Sequence, residues 1–150
     1  MKIIEFYQHN APVTWIDKID ESDWRAGKYL AELLKKNEFR KLCGENSEVL
    51  LLTENDKLLS FCTLSDQDEI PDTNMMPWIG FVYTFPQYRG NHYIGILFEY
   101  AHEKALKAGY NTLYVSTDQK GLYEKFGFEY TGIEKTSIYD ELSMIYKRNL

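Results

Sequence analysis

One stretch limits what this chain can fold into more than any other. An aromatic and β-branched run at residues 78–85 is broken by Pro86-Gln87-Tyr88-Arg89-Gly90, after which Ile94, Leu97, Ala101 and Ala105 recur at helical spacing until Gly109 stops the pattern. Residues 112–117 then resume a strand-like run. A strand, a helix and a strand in direct succession close in one favoured way, as a parallel pair joined by a right-handed crossover. The rest of the chain must be arranged around that unit.

Upstream, residues 2–7 read as a first strand, and Trp24, Leu30, Leu33 and Leu34 mark the apolar face of a helix over 20–39, with Asp20 or Ser22 as its cap. The runs at 48–53 and 57–64 are joined by Glu54-Asn55-Asp56, a short polar turn suited to a hairpin. Downstream come a short helix at 121–126 and closing strands at 128–132 and 143–148. The expected order is β-α-β-β-β-α-β-α-β-β. A hairpin beside a parallel crossover unit predicts an α/β fold on a mixed sheet.

Composition narrows the function classes. The chain has 150 residues, 44% of them hydrophobic, so a single domain spanning 1–150 can build a core without metal or disulfide staples. Its 17 Lys+Arg stand against 23 Asp+Glu, a net charge of −6 with no basic run, which argues against nucleic acid or an anionic membrane as partner. Cationic partners are better placed. Only Cys43 and Cys62 are available for a disulfide, and residues 1–10 lack the apolar stretch of a secretory leader, so a reduced, cytoplasmic setting is expected. Cys62 sits in an apolar run and reads as a core thiol. No window approaches the roughly 18 consecutive apolar residues of a membrane span.

The junction after residue 85 is where chemistry is expected. A glycine-bearing turn that feeds a helix gathers unpaired amides and the positive end of the helix dipole, which together favour an anion. Gly90 and Gly95 have the spacing of a Walker A loop, but Ile96-Leu97 stand where its Lys and Ser/Thr must be, which excludes a nucleotide phosphotransferase. An ordinary turn with a helix start explains the same residues. Leu106 stands where the second histidine of a zinc-protease helix starting at His102-Glu103 would be, and no Gly-x-Ser-x-Gly elbow is present. His9, His92 and His102 are scattered, and no metal is expected.

Three motifs in order, Pro77-Trp78-Ile79-Gly80-Phe81-Val82-Tyr83, then Gln87-Tyr88-Arg89-Gly90, then Gly121-Leu122-Tyr123-Glu124-Lys125-Phe126-Gly127-Phe128, resemble the GNAT superfamily of acyl-CoA-dependent N-acyltransferases. The resemblance covers residues 77–132. It implies a mixed, mostly antiparallel twisted sheet with a central splayed parallel pair, flanked by helices. It also implies acetyl-CoA as co-substrate, its pyrophosphate held by the amides of Arg89, Gly90, Asn91, His92, Tyr93, Ile94 and Gly95. The pantetheine arm would pair with the backbone of Phe81, Val82 and Tyr83 like an added strand. His92 and Ile94 occupy the family's two glycine positions, and His92 reads equally as a phosphate donor or as a solvated helix-start residue. Tyr123 matches the tyrosine that protonates the departing thiolate, since a phenol stays protonated at neutral pH.

The acceptor implied is an amine on a small molecule or peptide. The acidic segment 66–72, with Asp66, Asp68, Glu69 and Asp72, stands before the cofactor-facing strand and is suited to attract an ammonium group, as Asp68 and Asp72 are expected to do with Trp78 lining the pocket. A solvated acidic loop and a buried tryptophan explain the same residues. The activity expected is acetyl transfer by direct attack in a ternary complex, and the alternative is a non-catalytic acyl-CoA- or partner-binding module with the same fold. Self-association as a homodimer stays open.

Overall fold

A computed structural model of the chain describes residues 1–71 and 73–150. Seven strands form one sheet in the order β1-β2-β3-β4-β5-β7-β6. They are β1 (Lys2–Glu5), β2 (Glu48–Glu54), β3 (Lys57–Ser65), β4 (Trp78–Thr84), β5 (Thr112–Thr117), β6 (Glu129–Thr136) and β7 (Leu142–Asn149). Only β4 and β5 run parallel, and every other neighbouring pair is antiparallel. The crossover between them is α4 (Tyr93–Lys107), the helix that the 94–105 spacing predicts.

The strands are apolar on both faces because helices cover both. Leu50 and Leu52 point to one side, where they pack with Cys62, Ile79, Leu97, Phe98 and Ala101 under α4. Val49 and Leu51 point to the other, against Ile19, Leu30, Leu33 and Phe39. Period-2 alternation along β2 therefore serves two cores at once. Each fully buried leucine among them stabilises the fold by roughly 2 kcal/mol. Both cysteines are free and buried, and burial pushes the thiols up to about 11 at Cys43 and about 12 at Cys62, which leaves them protonated core residues.

The helix expected over 20–39 is shorter, α2 (Arg25–Lys35), and is flanked by α1 (Thr14–Asp20), which ends where it was expected to begin, and α3 (Phe39–Cys43), which begins where it was expected to end. Neither Asp20 nor Ser22 caps α2; Trp24 takes that position in an extended conformation without a side-chain bond. The turn before α2 packs closely on the helix, and Gly27 permits it, since a Cβ there would lie 2.2 Å from Ser22 Oγ. Asn37, at φ 56°, turns the chain out of α2 before Phe39. The short helix expected at 121–126 is a 3₁₀ turn, Tyr123–Phe126. Among the described residues no helix is long and apolar enough to cross a membrane.

Candidate active site

The site begins where β4 stops pairing with β5. The two strands are joined only at Trp78↔Tyr114 and Ile79↔Val115. Beyond that point Ser116 and Thr117 keep their β7 partners, while Gly80 and the residues after it have β3 alone. At the divergence Phe81 adopts φ 48°, and Phe81 and Val82 together stand opposite Cys62 between the pairs Thr63↔Gly80 and Phe61↔Tyr83. This is a β-bulge. A left-handed conformation at a bulky residue costs about 1–2 kcal/mol, and the pairs on either side hold it in place. The bulge leaves Phe81 and Val82 on an open strand edge, with main-chain groups available to an extended ligand.

Tyr83, third of the residues expected to meet the arm, is tied elsewhere. Its carbonyl accepts from Ser60 Oγ at 2.7 Å, and its hydroxyl donates to Asp23 at 2.5 Å. Its ring stacks on Trp24 at 5.6 Å, with the Arg89 guanidinium 5.4 Å from it. Arg89 Nε in turn donates to Thr84 O at 2.9 Å, which fixes the exit of β4.

Below that exit the loop winds into α4. Gly90 has φ 86° and His92, the N-cap, has φ 57° and ψ 30°. Histidine thus keeps the left-handed geometry that glycine adopts freely. His92 and Asn91 are exposed, Asn91 Nδ2 donates to Tyr88 O at 2.9 Å, and no side chain caps the helix. The amides of Tyr93 and Ile94 lack intrahelical acceptors, so with those of Asn91 and His92 they form a cluster of donors at the positive end of a 15-residue helix. The side chains of Tyr93 and Ile94 pack inward on the core, leaving the backbone side clear. Gly95 contributes differently. Its amide donates to His92 O at 3.0 Å, and a Cβ there would lie 3.2 Å from Phe126, so it lets α4 approach the 3₁₀ turn that carries Tyr123.

Tyr123 is 7% exposed, stacked on Phe98 at 5.9 Å and edge-on to Phe128. It lines a cavity of about 1870 Å³ that also takes in Phe81, Val82 and Ser116 at the strand divergence. Burial holds its phenol well above the ordinary tyrosine value, with smaller contributions from Cys62 and Asp68, so the hydroxyl keeps its proton through the neutral range.

Asp68 lines the same cavity. Ser116 Oγ donates to Asp68 Oδ2 at 2.5 Å, and burial pushes the carboxyl up to about 6 against the pull of that bond. Glu69 is raised by burial as well, and lies 3.4 Å from both Ser116 Oγ and Ser143 Oγ. Asp66 is a fastening residue, accepting from the Asn46 amide at 3.1 Å. Trp78 is 0% exposed, its Nε1 donating to Met75 O at 2.8 Å, and it forms part of the wall from within the core. Asp72 lies outside the described residues. Among the described residues no group of three or more His, Cys, Asp or Glu side chains could hold a metal ion.

The cavity is also lined by residues that the sequence alone did not single out, namely Thr63, Ser116, Tyr29, Tyr139 and Glu141. They come from separate segments. The one local signal was Gly80, a glycine inside a strand, which marks a bulge or a close approach.

The sequence from residue 5 to 128 matches the model of the acetyltransferase (GNAT) family. No curated protein matches the chain significantly. Among solved structures, aminoglycoside 6'-acetyltransferase type Ii superposes with a TM-score of 0.73 at 18% identity, over 99% of this chain and 97% of that one. A GNAT family acetyltransferase from Elizabethkingia anophelis with acetyl-CoA bound gives 0.67 at 17% identity, over 99% and 97%. Ribosomal-protein-alanine N-acetyltransferase from Brucella melitensis gives 0.65 at 13% identity, over the whole of both chains. At such identities the likeness is one of fold.

Proposed function

Because the chain belongs to the GNAT family of acetyltransferases, we propose that it transfers the acetyl group of acetyl-CoA to a primary amine bound in the same cavity. The observation that carries this reading is the parting of β4 and β5 beyond Ile79 and Val115, which opens onto a cavity lined by the buried Tyr123 and the half-buried Asp68. Acetyl-CoA supplies an activated acetyl thioester. The residues present suit it: amides of 91–94 for the pyrophosphate, the open edge at Phe81 and Val82 for the amides of the arm. A relative of this fold holds acetyl-CoA.

The chemistry asked of the protein is modest. Transfer makes an N–C bond and breaks a C–S bond, so nitrogen must lose a proton and sulfur must gain one. Asp68, held near 6, accepts a proton from an ammonium group more readily than an ordinary carboxylate. The Tyr123 hydroxyl returns one to sulfur, and backbone N–H groups at the bulge stabilise charge developing on the carbonyl oxygen. Thiol release tests the reading. Purified protein with acetyl-CoA and a panel of amines is expected to free thiol only when an amine is present, and acetyl-CoA that binds without any amine releasing thiol would instead mark a non-catalytic binding module.

A further inference from the structure

The Asp68 carboxyl rests in a cradle that three adjacent strands build at one level. Thr63 of β3 pairs with Gly80 of β4, and Ser116 of β5 follows Val115 as Gly80 follows Ile79, one step beyond the last β4–β5 pair. The cradle is therefore a hydroxyl, a glycine and a hydroxyl. Gly80 lets the carboxyl come down between the other two, since a Cβ there would stand 3.2 Å from Asp68 Oδ1 and 3.1 Å from Thr63 Oγ1.

The two hydroxyls are in opposite states. Ser116 Oγ donates to Asp68 Oδ2 at 2.5 Å, whereas Oδ1 accepts from no side chain among the described residues. Thr63 is 1% exposed, and its hydroxyl is closed to solvent without a hydrogen-bond partner among the described residues, a costly state for a buried polar group. The polar atom that shares its space is Asp68 Oδ1. A carboxylate has no proton to give, but a carboxylic acid carries an O–H that needs an acceptor. Other groups surround the cradle: Glu69 beside Asp68 raises it by charge, Asp118 and Glu141 act on Glu69 in turn, and Arg25 and Lys28 of α2 line the same cavity. Cys43 of α3 and Tyr123 of the 3₁₀ turn feel the Asp68 charge and stay protonated through the neutral range.

Resting on the acetyl-transfer reading, we propose that Ser116 and Thr63 are positioning residues that divide the Asp68 carboxyl between them: Ser116 holds Oδ2, Oδ1 takes the proton of the acceptor's ammonium group, and Thr63 Oγ1 accepts the new O–H. In that step an N–H bond breaks, an Oδ1–H bond forms, and the nitrogen keeps the electron pair with which it attacks. Ser116 thus favours the ionised carboxyl and Thr63 the protonated one. The balance of the two lets the same group take a proton and release it.

The test follows the Asp68 carboxyl carbon by NMR titration of the protein without ligands, which separates it from Glu69. In parallel it follows the acid limb of kcat/KM with the most active amine of the thiol-release panel. Ser116→Ala should move the Asp68 titration up by about 0.5–1 pH unit and Thr63→Val should move it down by as much, the worth of one hydrogen bond each. Thr63→Val keeps the shape of the side chain, and Ser116→Thr and Thr63→Ser, which keep the hydroxyls, should hold the parent value. The acid limb should shift in the same directions. A Thr63→Val protein whose titration stays or rises, or a Ser116→Ala protein whose titration stays or falls, would overturn the divided carboxyl. An acid limb that follows neither shift would overturn Oδ1 as the oxygen that takes the proton. Opposite shifts in a protein that releases no thiol with any amine would keep the cradle and overturn acetyl transfer.

Discussion

The proposed site has two walls built on different principles. The donor wall is backbone: the bulge at Phe81, which lines the cavity, and, beyond that lining, the left-handed turns at Gly90 and His92 and the start of α4. The acceptor wall is side chain, with Thr63 from β3, Asp68 and Glu69 from the segment after it, Ser116 from β5 and Glu141 from the loop before β7. A wall of amides tolerates exchange of its side chains as long as the chain keeps its course, which is how His92 stands in a glycine's conformation. A wall of side chains depends on each residue and on the register that gathers them. The donor wall is thus general and the acceptor wall particular.

The largest expected effect lies where the walls meet. Tyr123→Phe keeps the ring that packs on Phe98 and removes only the hydroxyl, so kcat is expected to fall by roughly 10²–10⁴ with acetyl-CoA affinity nearly unchanged. A steady-state comparison checks this, and equal losses in kcat and in coenzyme binding would mean that the tyrosine is a packing residue.

Asp68→Asn comes next and tests the acceptor wall alone. Turnover should fall about 10- to 100-fold near neutral pH, and the acid limb of kcat/KM, set near 6 by the raised carboxyl, should flatten. Stability should move the other way. The folded protein binds the Asp68 proton more tightly than the unfolded chain, so ionised Asp68 costs stability above about pH 6 and costs nothing below its ordinary value of 3.8. The Asn variant should therefore melt higher at pH 7, by the equivalent of up to roughly 3 kcal/mol, and should match the parent below about pH 4. Melting curves across that range decide it.

The same contrast explains what could be read from the sequence. The donor wall was legible because its parts are local: a proline and glycine break, a helix of clear period, and an ordered string through Tyr123. The splayed β4–β5 pair followed from the family resemblance, and its cause, the bulge at Phe81, left no mark beyond Gly80 beside it. Helix boundaries before residue 44 were misread because the break brings Ser22 close against Gly27, a tertiary contact that periodicity does not contain. Thr63, Ser116 and Glu141 are ordinary letters in ordinary strands and loops. Only the sheet order, with β4 between β3 and β5, brings the first two to the same point.

Smaller effects probe the backbone side. His92→Gly removes the left-handed penalty, and after the greater freedom of glycine in the unfolded chain is deducted the folded state should gain no more than about 1 kcal/mol. Acetyl-CoA should bind the variant equally well or a fewfold tighter by calorimetry, whereas a marked loss would show that the imidazole itself holds the phosphate. Added salt should raise KM for a cationic amine severalfold, since the Debye length falls from about 10 Å at 0.1 M to about 3 Å at 1 M. An uncharged amine analogue should show no such rise.

The most direct measurement is the distance from the coenzyme sulfur to Tyr123 Oη in a crystal of this protein with coenzyme A. The account predicts the arm between β4 and β5 beyond Ile79 and Val115, the pyrophosphate on the amides of 91–94, and sulfur within about 3.5 Å of that hydroxyl. A coenzyme seated elsewhere, or a sulfur closer to Ser116 or Tyr29 than to Tyr123, would contradict it.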